Sequence, residues 1–108
     1  MALVDLVARR VAIVGDSMRP TLDDGDEVIA LRPWRPVRRG DLVVLVDPRE
    51  PRRWLVKRVG ERRGARLDLR GDNPDRSTDS RDFGLVAVRD VRYLVPARLN
   101  GLARGARR

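Results

Sequence analysis

Few side chains in this sequence can do covalent chemistry. It contains no histidine and no cysteine, which removes Ser–His–Asp triads, thiol nucleophiles, disulfides and thiolate zinc sites. A nucleophile must then be Ser or Thr, activated by a lysine, a carboxylate or the chain's own amino group. Serine occurs at Ser17, Ser77 and Ser80 only, and Lys57 is the one lysine beside 23 arginines. Arg carries the same charge and bonds more firmly, but it cannot lose its proton in a protein. A position that keeps Lys against this background is a candidate for an amine that must become neutral. Chance survival of one lysine explains the composition equally well.

The elements around these residues read as strands. Val11–Val14 is a short apolar run ending at Gly15, followed by a turn at Asp23-Asp24-Gly25-Asp26 and a strand over Glu27–Leu31. Arg32–Gly40, with Pro33 and Pro36, is a connection, and Asp41–Asp47 is the clearest strand, bounded by Gly40 and Pro48. Pro48–Pro51 is a turn, Arg53–Val59 a strand, Glu61–Gly64 a hairpin loop and Ala65–Leu69 the next strand. Gly71–Asp82 is a polar loop long enough to be functional or disordered. Strands resume at Leu85–Val88 and Val91–Val95, and a helical turn is expected over residues 1–9. Short strands between turns, with no sustained helical period, predict an all-β domain, a curled sheet or small β-barrel. With 108 residues the chain fits a single domain, with its core over about residues 11–95 and a basic tail over 98–108.

In Arg53–Val59 the two-residue period puts Leu55, Lys57 and Val59 on one face. Aliphatic flanks desolvate the ammonium and lower its pKa, and a neutral amine is what a serine hydroxyl needs as a base. A lysine snorkelling at a sheet edge fits the same pattern.

The order of the motifs goes further. Gly15-Asp16-Ser17-Met18-Arg19-Pro20-Thr21, then Gly25-Asp26, Arg39-Gly40-Asp41-Leu42-Val43-Val44, Val56-Lys57-Arg58-Val59, and Gly71-Asp72-Asn73 through Ser77-Thr78-Asp79-Ser80-Arg81 to Phe83-Gly84 follow one another with consistent spacing. This series resembles the type I signal peptidases and covers roughly residues 11–95. It looks similar to short anchorless members such as the proteases that mature nickel superoxide dismutase. The resemblance implies a signal-peptidase-like fold and a serine endopeptidase with Ser17 as nucleophile and Lys57 as general base. It implies that Ser77 orients the Lys57 amine and that Asp79 and Arg81 form a supporting ion pair. The Ser17 backbone N–H falls at the oxyanion site. Gly15, Asp16, Met18 and Pro20 fall at the oxyanion site and substrate groove, Pro20 stiffening the turn after the nucleophile. Gly15 stands where the family often has a serine, so a backbone N–H is the expected replacement. Pro74 and Arg76 also replace residues more usual in the bacterial pattern.

The expected partner is a precursor protein whose N-terminal leader binds as an extended strand, with small residues such as Ala one and three positions before the cut. No cofactor and no metal are expected. Asn73, Asp75, Ser77 and Asp79 alternate like calcium ligands, but Thr78 and Gly84 stand where that loop needs Gly and Glu. Two rival readings are a self-cleaving Ser/Lys domain like those of the SOS repressors and a basic β-domain that binds nucleic acid. Only 16 residues precede Ser17 to supply a cleavage segment, which disfavours the first. The net charge of +8 invites the second. Its arginines, however, are dispersed among 16 acidic residues and few aromatics, so a solvated surface is the favoured reading and no nucleic acid is expected. No apolar run is long enough to span a bilayer, because Met1–Val14 is interrupted by Asp5, Arg9 and Arg10. The expected location is the cytoplasm, or a peripheral position at the cytoplasmic membrane.

Overall fold

Val43, Val44 and Leu45 are buried on both sides, and the whole architecture follows from where that strand must lie. The computed structural model describes residues 8–96. It contains seven strands: β1 (Ala8–Ala12), β2 (Glu27–Leu31), β3 (Leu42–Asp47), β4 (Glu50–Arg63), β5 (Arg66–Arg70), β6 (Val86–Ala87) and β7 (Tyr93–Leu94). They form one antiparallel sheet in the order β1-β2-β7-β3-β4-β5-β6. The domain is all-β, as expected. Of the two forms expected, the open sheet is the one found, since β1 and β6 end the order without pairing to each other.

The core lies on both faces. Val43 and Leu45 of β3 join Leu55, Val59, Leu67, Leu69, Val86 and Leu94 in one cluster, whereas Leu42 and Val44 join Ile13, Met18, Leu22, Val28 and Tyr93 in the other. A strand buried on both faces shows a continuous apolar run, which is why β3 is so plain in the sequence. β4 instead alternates, burying Leu55, Lys57 and Val59 while Trp54, Val56 and Arg58 face the other way.

Several boundaries differ from the sequence reading, each for a physical reason. The first strand is Ala8–Ala12 rather than Val11–Val14, because β1 is an edge strand with a mostly exposed, arginine-bearing surface. Residues 1–7 of the expected helical turn and the basic tail at 98–108 lie outside the described residues, while Ala8 and Arg9 are in β1. The β3–β4 turn shrinks to Pro48-Arg49, since Asp47 pairs with Glu50 and the Asp47 carboxylate accepts the Arg49 N–H at 2.8 Å. Strand β4 runs on to Arg63 through the expected loop, because Gly64, at φ +62°, makes a tight turn and Arg63 pairs with Arg66. The last two strands shorten to β6 and β7, separated by a 3-10 turn over Val88–Asp90. The polar loop over 71–82 holds structure of its own, a 3-10 turn at Pro74–Arg76 and the helix α1 (Ser80–Phe83).

Candidate active site

Ser17 is held at the exit of β1. Ile13 still pairs, donating to the Asp26 carbonyl at 2.8 Å, before Gly15 turns the chain at φ +86°. Asp16 then accepts the Arg19 N–H at 3.1 Å, Met18 accepts the Leu22 N–H at 2.9 Å, and the Met18 side chain is buried in the second core cluster. Asn73 clamps this turn from the polar loop, its backbone N–H on the Ser17 carbonyl at 2.9 Å and its side-chain amide on the Asp16 carbonyl at 3.0 Å.

Lys57 sits opposite Val43 on β4 and is only 2% exposed. Its Nζ donates to Ser77 Oγ at 3.1 Å, and Ser77 Oγ donates in turn to Asp79 Oδ2 at 2.9 Å. No bond of this relay requires an ammonium, because a neutral amine still has N–H groups to donate and keeps a lone pair to accept a proton. Burial depresses the Lys57 pKa below its usual value, and the charges of Arg53 and Arg81 push the same way; the Asp79 and Asp47 carboxylates oppose this without reversing it.

Asp79 is fully buried and fully bonded. Arg81 grips it in two places, Nε on Oδ1 at 3.0 Å and Nη2 on Oδ2 at 2.8 Å, while the Gly71 N–H adds a 2.9 Å bond. Its Oδ1 also caps α1 by accepting the Arg81 backbone N–H at 3.1 Å. Burial alone would raise the Asp79 pKa, but the Arg81 guanidinium, the two backbone N–H groups and the Ser77 hydroxyl outweigh it and hold the carboxyl below its ordinary range. The carboxylate therefore stays charged and fixes Ser77 as a donor towards itself, which leaves Ser77 Oγ as an acceptor for Lys57.

A cavity of about 440 Å³ is lined by both Ser17 and Lys57. Residues 11–18 line one wall and residues 53–57 another, with Arg76 and Thr78 contributed from beside Ser77. Ser17 and Lys57 thus open into the same groove. The arrangement offers a hydroxyl, a buried amine whose pKa is depressed and a second hydroxyl hydrogen-bonded to the amine.

The profile of the family described as "Signal peptidase, peptidase S26" matches residues 1–70. This chain belongs to the signal peptidase family. It is also similar to mitochondrial inner membrane protease subunit 2 of Mus musculus, 29% identical over 113 residues covering 82% of this chain and 65% of that protein. The same subunit from Bos taurus and from Homo sapiens is 29% identical as well, with 64% and 65% of their lengths covered. The chain spans just under two-thirds of the length of these relatives. Among the described residues, no helix is long and apolar enough to cross a membrane.

The signal peptidase match includes Ser17 and Lys57 but ends before Ser77, Asp79 and Arg81. Those three join the site through the hydrogen bonds above. Gly15, Asp16 and Met18 line the cavity, as expected of groove residues, and Pro20 does not. The Gly15 N–H is bonded to the Asp24 carboxylate at 2.7 Å, so the backbone N–H expected to replace the family's serine is not that of Gly15. Pro20 is exposed and lies outside the cavity lining, because the chain turns away after Met18 plunges into the core.

Other residues around the site were not singled out from the sequence. Gly71 has no room for a side chain: a Cβ there would collide with Ser77 and stand 2.7 Å from the Ser17 carbonyl oxygen. Glycine is therefore needed for Ser77 and the Ser17 turn to approach each other. Arg58, next to Lys57, turns to the opposite face and grips Asp72, Nε to Oδ1 and Nη2 to Oδ2 at 2.9 Å each. Thr21 donates to the same carboxylate at 2.6 Å, and Arg58 also reaches the Gly40 carbonyl at 2.8 Å. This staple links the segment after Ser17, the strand bearing Lys57 and the loop bearing Ser77. Its only signal in the sequence was that each member lies inside one of the motifs.

Proposed function

We propose that this signal peptidase relative is a serine endopeptidase that removes N-terminal leader peptides from precursor proteins, with Ser17 and Lys57 as its catalytic dyad. The observation that carries this reading is a buried, pKa-depressed lysine, oriented by Ser77, opening into the groove that Ser17 also lines. In the reaction the neutral Lys57 amine takes the Ser17 proton as Oγ attacks the scissile carbonyl. The lysine then protonates the departing amine, leaving an acyl-enzyme. In the second half Lys57 takes a proton from water as the water's oxygen attacks the ester carbonyl, and returns it to Ser17 as the serine leaves. The Ser17 backbone N–H is the oxyanion donor in this reading.

The groove also suits an extended substrate. β1 pairs only with β2, and β4 pairs with β5 only from Arg58 onward, so residues 53–57 and the edge of β1 both carry unpaired backbone among the described residues. A leader peptide can add to these edges as a strand. We place this processing in the cytoplasm or at the surface of the cytoplasmic membrane, where a net charge of +8 favours anionic lipid. Fractionation of the full-length protein checks that location.

The test of the peptidase reading is cleavage of a leader-like peptide with Ala one and three residues before the cut, by wild type and by Ser17→Ala. Wild type should cleave; Ser17→Ala should lose activity while unfolding at the same temperature. Cleavage by a folded Ser17→Ala protein near the wild-type rate would remove Ser17 from the nucleophile role.

A further inference from the structure

Eight arginines of the described residues are engaged in ion pairs, but Arg53 and Arg76, both lining the groove, form neither an ion pair nor a side-chain hydrogen bond there. Among the described residues, the only acid lining the groove is Asp16. A second cavity shares Val11, Ala12 and Trp54 with the first and adds Arg9 and Arg10. The groove's field is thus positive even with Lys57 neutral, and concave walls of low dielectric focus such a field onto whatever enters.

Arg53 has a defined place in it. It lies on the same side of β4 as Leu55 and Lys57, four residues before Lys57, or about 13 Å along the strand. Its charge also adds to burial in depressing the Lys57 amine, so the two side chains lie within electrostatic reach of each other. An extended peptide in the groove advances at the same pitch as β4, so a substrate side chain about four residues from the scissile bond meets the Arg53 guanidinium.

We propose that Arg53 selects substrates with an acidic side chain about four residues from the scissile bond, on the flank of the cut that lies along β4. This rests on the dyad reading for where the cut falls, but not for the existence of the charge preference. Arg76, at the end of the 3-10 turn before Ser77, reinforces the same sign. Because Arg53 is exposed, the effect is modest and screened by salt.

The test uses peptides carrying Glu, Gln or Lys at the fourth residue on either flank of the cut. Wild type should rank them Glu above Gln above Lys on one flank, with kcat/KM differing about fivefold between the extremes. The difference should fall in KM rather than kcat, and should shrink in 0.5 M salt (about a threefold-shorter screening length than at low salt). Arg53→Glu should invert the ranking, whatever it does to overall rate, and Arg53→Gln should flatten it. Binding of the same peptides, fluorescently labelled, to Ser17→Ala reads the preference without cleavage. If wild type cleaves none of them while Ser17→Ala still binds the Glu peptide best, the peptidase reading fails and the charge preference stands. Equal binding and cleavage of all three on both flanks would overturn the proposal, as would a ranking that Arg53→Glu leaves unchanged.

Discussion

Lys57 and Arg58 are neighbours on one strand, and their environments have little in common. Lys57 points into the apolar side of β4, is nearly inaccessible, and touches a hydroxyl rather than a carboxylate. Arg58 points the other way, remains partly exposed, and holds Asp72 with two parallel bonds. The first environment penalises a positive charge and the second rewards it. Burial lowers the Lys57 pKa, whereas the hydrogen bonds that Arg58 donates to Asp72 raise its own despite partial burial. Two adjacent cations are thereby assigned opposite tasks by the alternation of a strand. One is kept able to lose its proton, and the other is kept charged to staple three segments together.

The comparison breaks most sharply at Lys57. Lys57→Arg should lower kcat/KM by about a hundredfold to ten-thousandfold, the range of a lost general base, since guanidinium cannot accept the serine's proton. Lys57→Met, neutral and of similar length, guards against an arginine that fails to fit and should lose as much. In wild type the active form is the neutral amine, so activity should rise with pH through a limb below lysine's ordinary value of about 10.4. Linkage gives folding stability the same sense: between the depressed folded pKa and the unfolded value, the unfolded chain binds the extra proton and stability rises with pH. A folded Lys57→Arg protein with near-normal cleavage would leave the two cations equivalent and the dyad refuted.

Ser77→Ala probes the same side of the strand more gently. The amine remains but loses the group that orients it, so a loss of about ten- to a thousandfold is expected, mainly in kcat. If Ser80→Ala were instead the crippling change, the relay would be misassigned; Ser80 Oγ serves the Leu69 N–H at 2.8 Å, a structural task.

Asp72→Ala probes the other side and should have the smallest effect on chemistry. It removes two charge-assisted bonds from Arg58 and one from Thr21, so a loss of about 1–3 kcal/mol in unfolding free energy is expected. The pH limb of the surviving activity should stay where it is, because Asp72 is not among the charges that act on Lys57. A limb displaced by Asp72→Ala would show the two networks to be one.

Part of this was visible along the chain. β3 announces itself because burial on both faces needs an uninterrupted apolar run, and the inward phase of Lys57 follows from the two-residue period of β4. Edge strand β1 was displaced, because hydrogen bonding at a sheet edge does not require apolar residues. The helix α1 was missed because its four residues present no apolar stripe; it is held by the Asp79 cap and the Asp82 carboxylate on the Asp79 N–H.

The sequence by itself determined the chemical repertoire. With no histidine or cysteine, three serines and one lysine, it left few nucleophile–base pairs to choose among, and its spaced motifs pointed to a single family. Only the tertiary structure decided which polar groups are already spent and which remain available. Asp24 takes the Gly15 N–H, Arg81 and Gly71 saturate Asp79, Asp72 engages Arg58, and Arg53 is left unpaired on the groove. The reason is geometric. A hydrogen bond is settled within a few tenths of an ångström between groups as far apart in sequence as Thr21 and Asp72, and residue types in linear order carry no such distances.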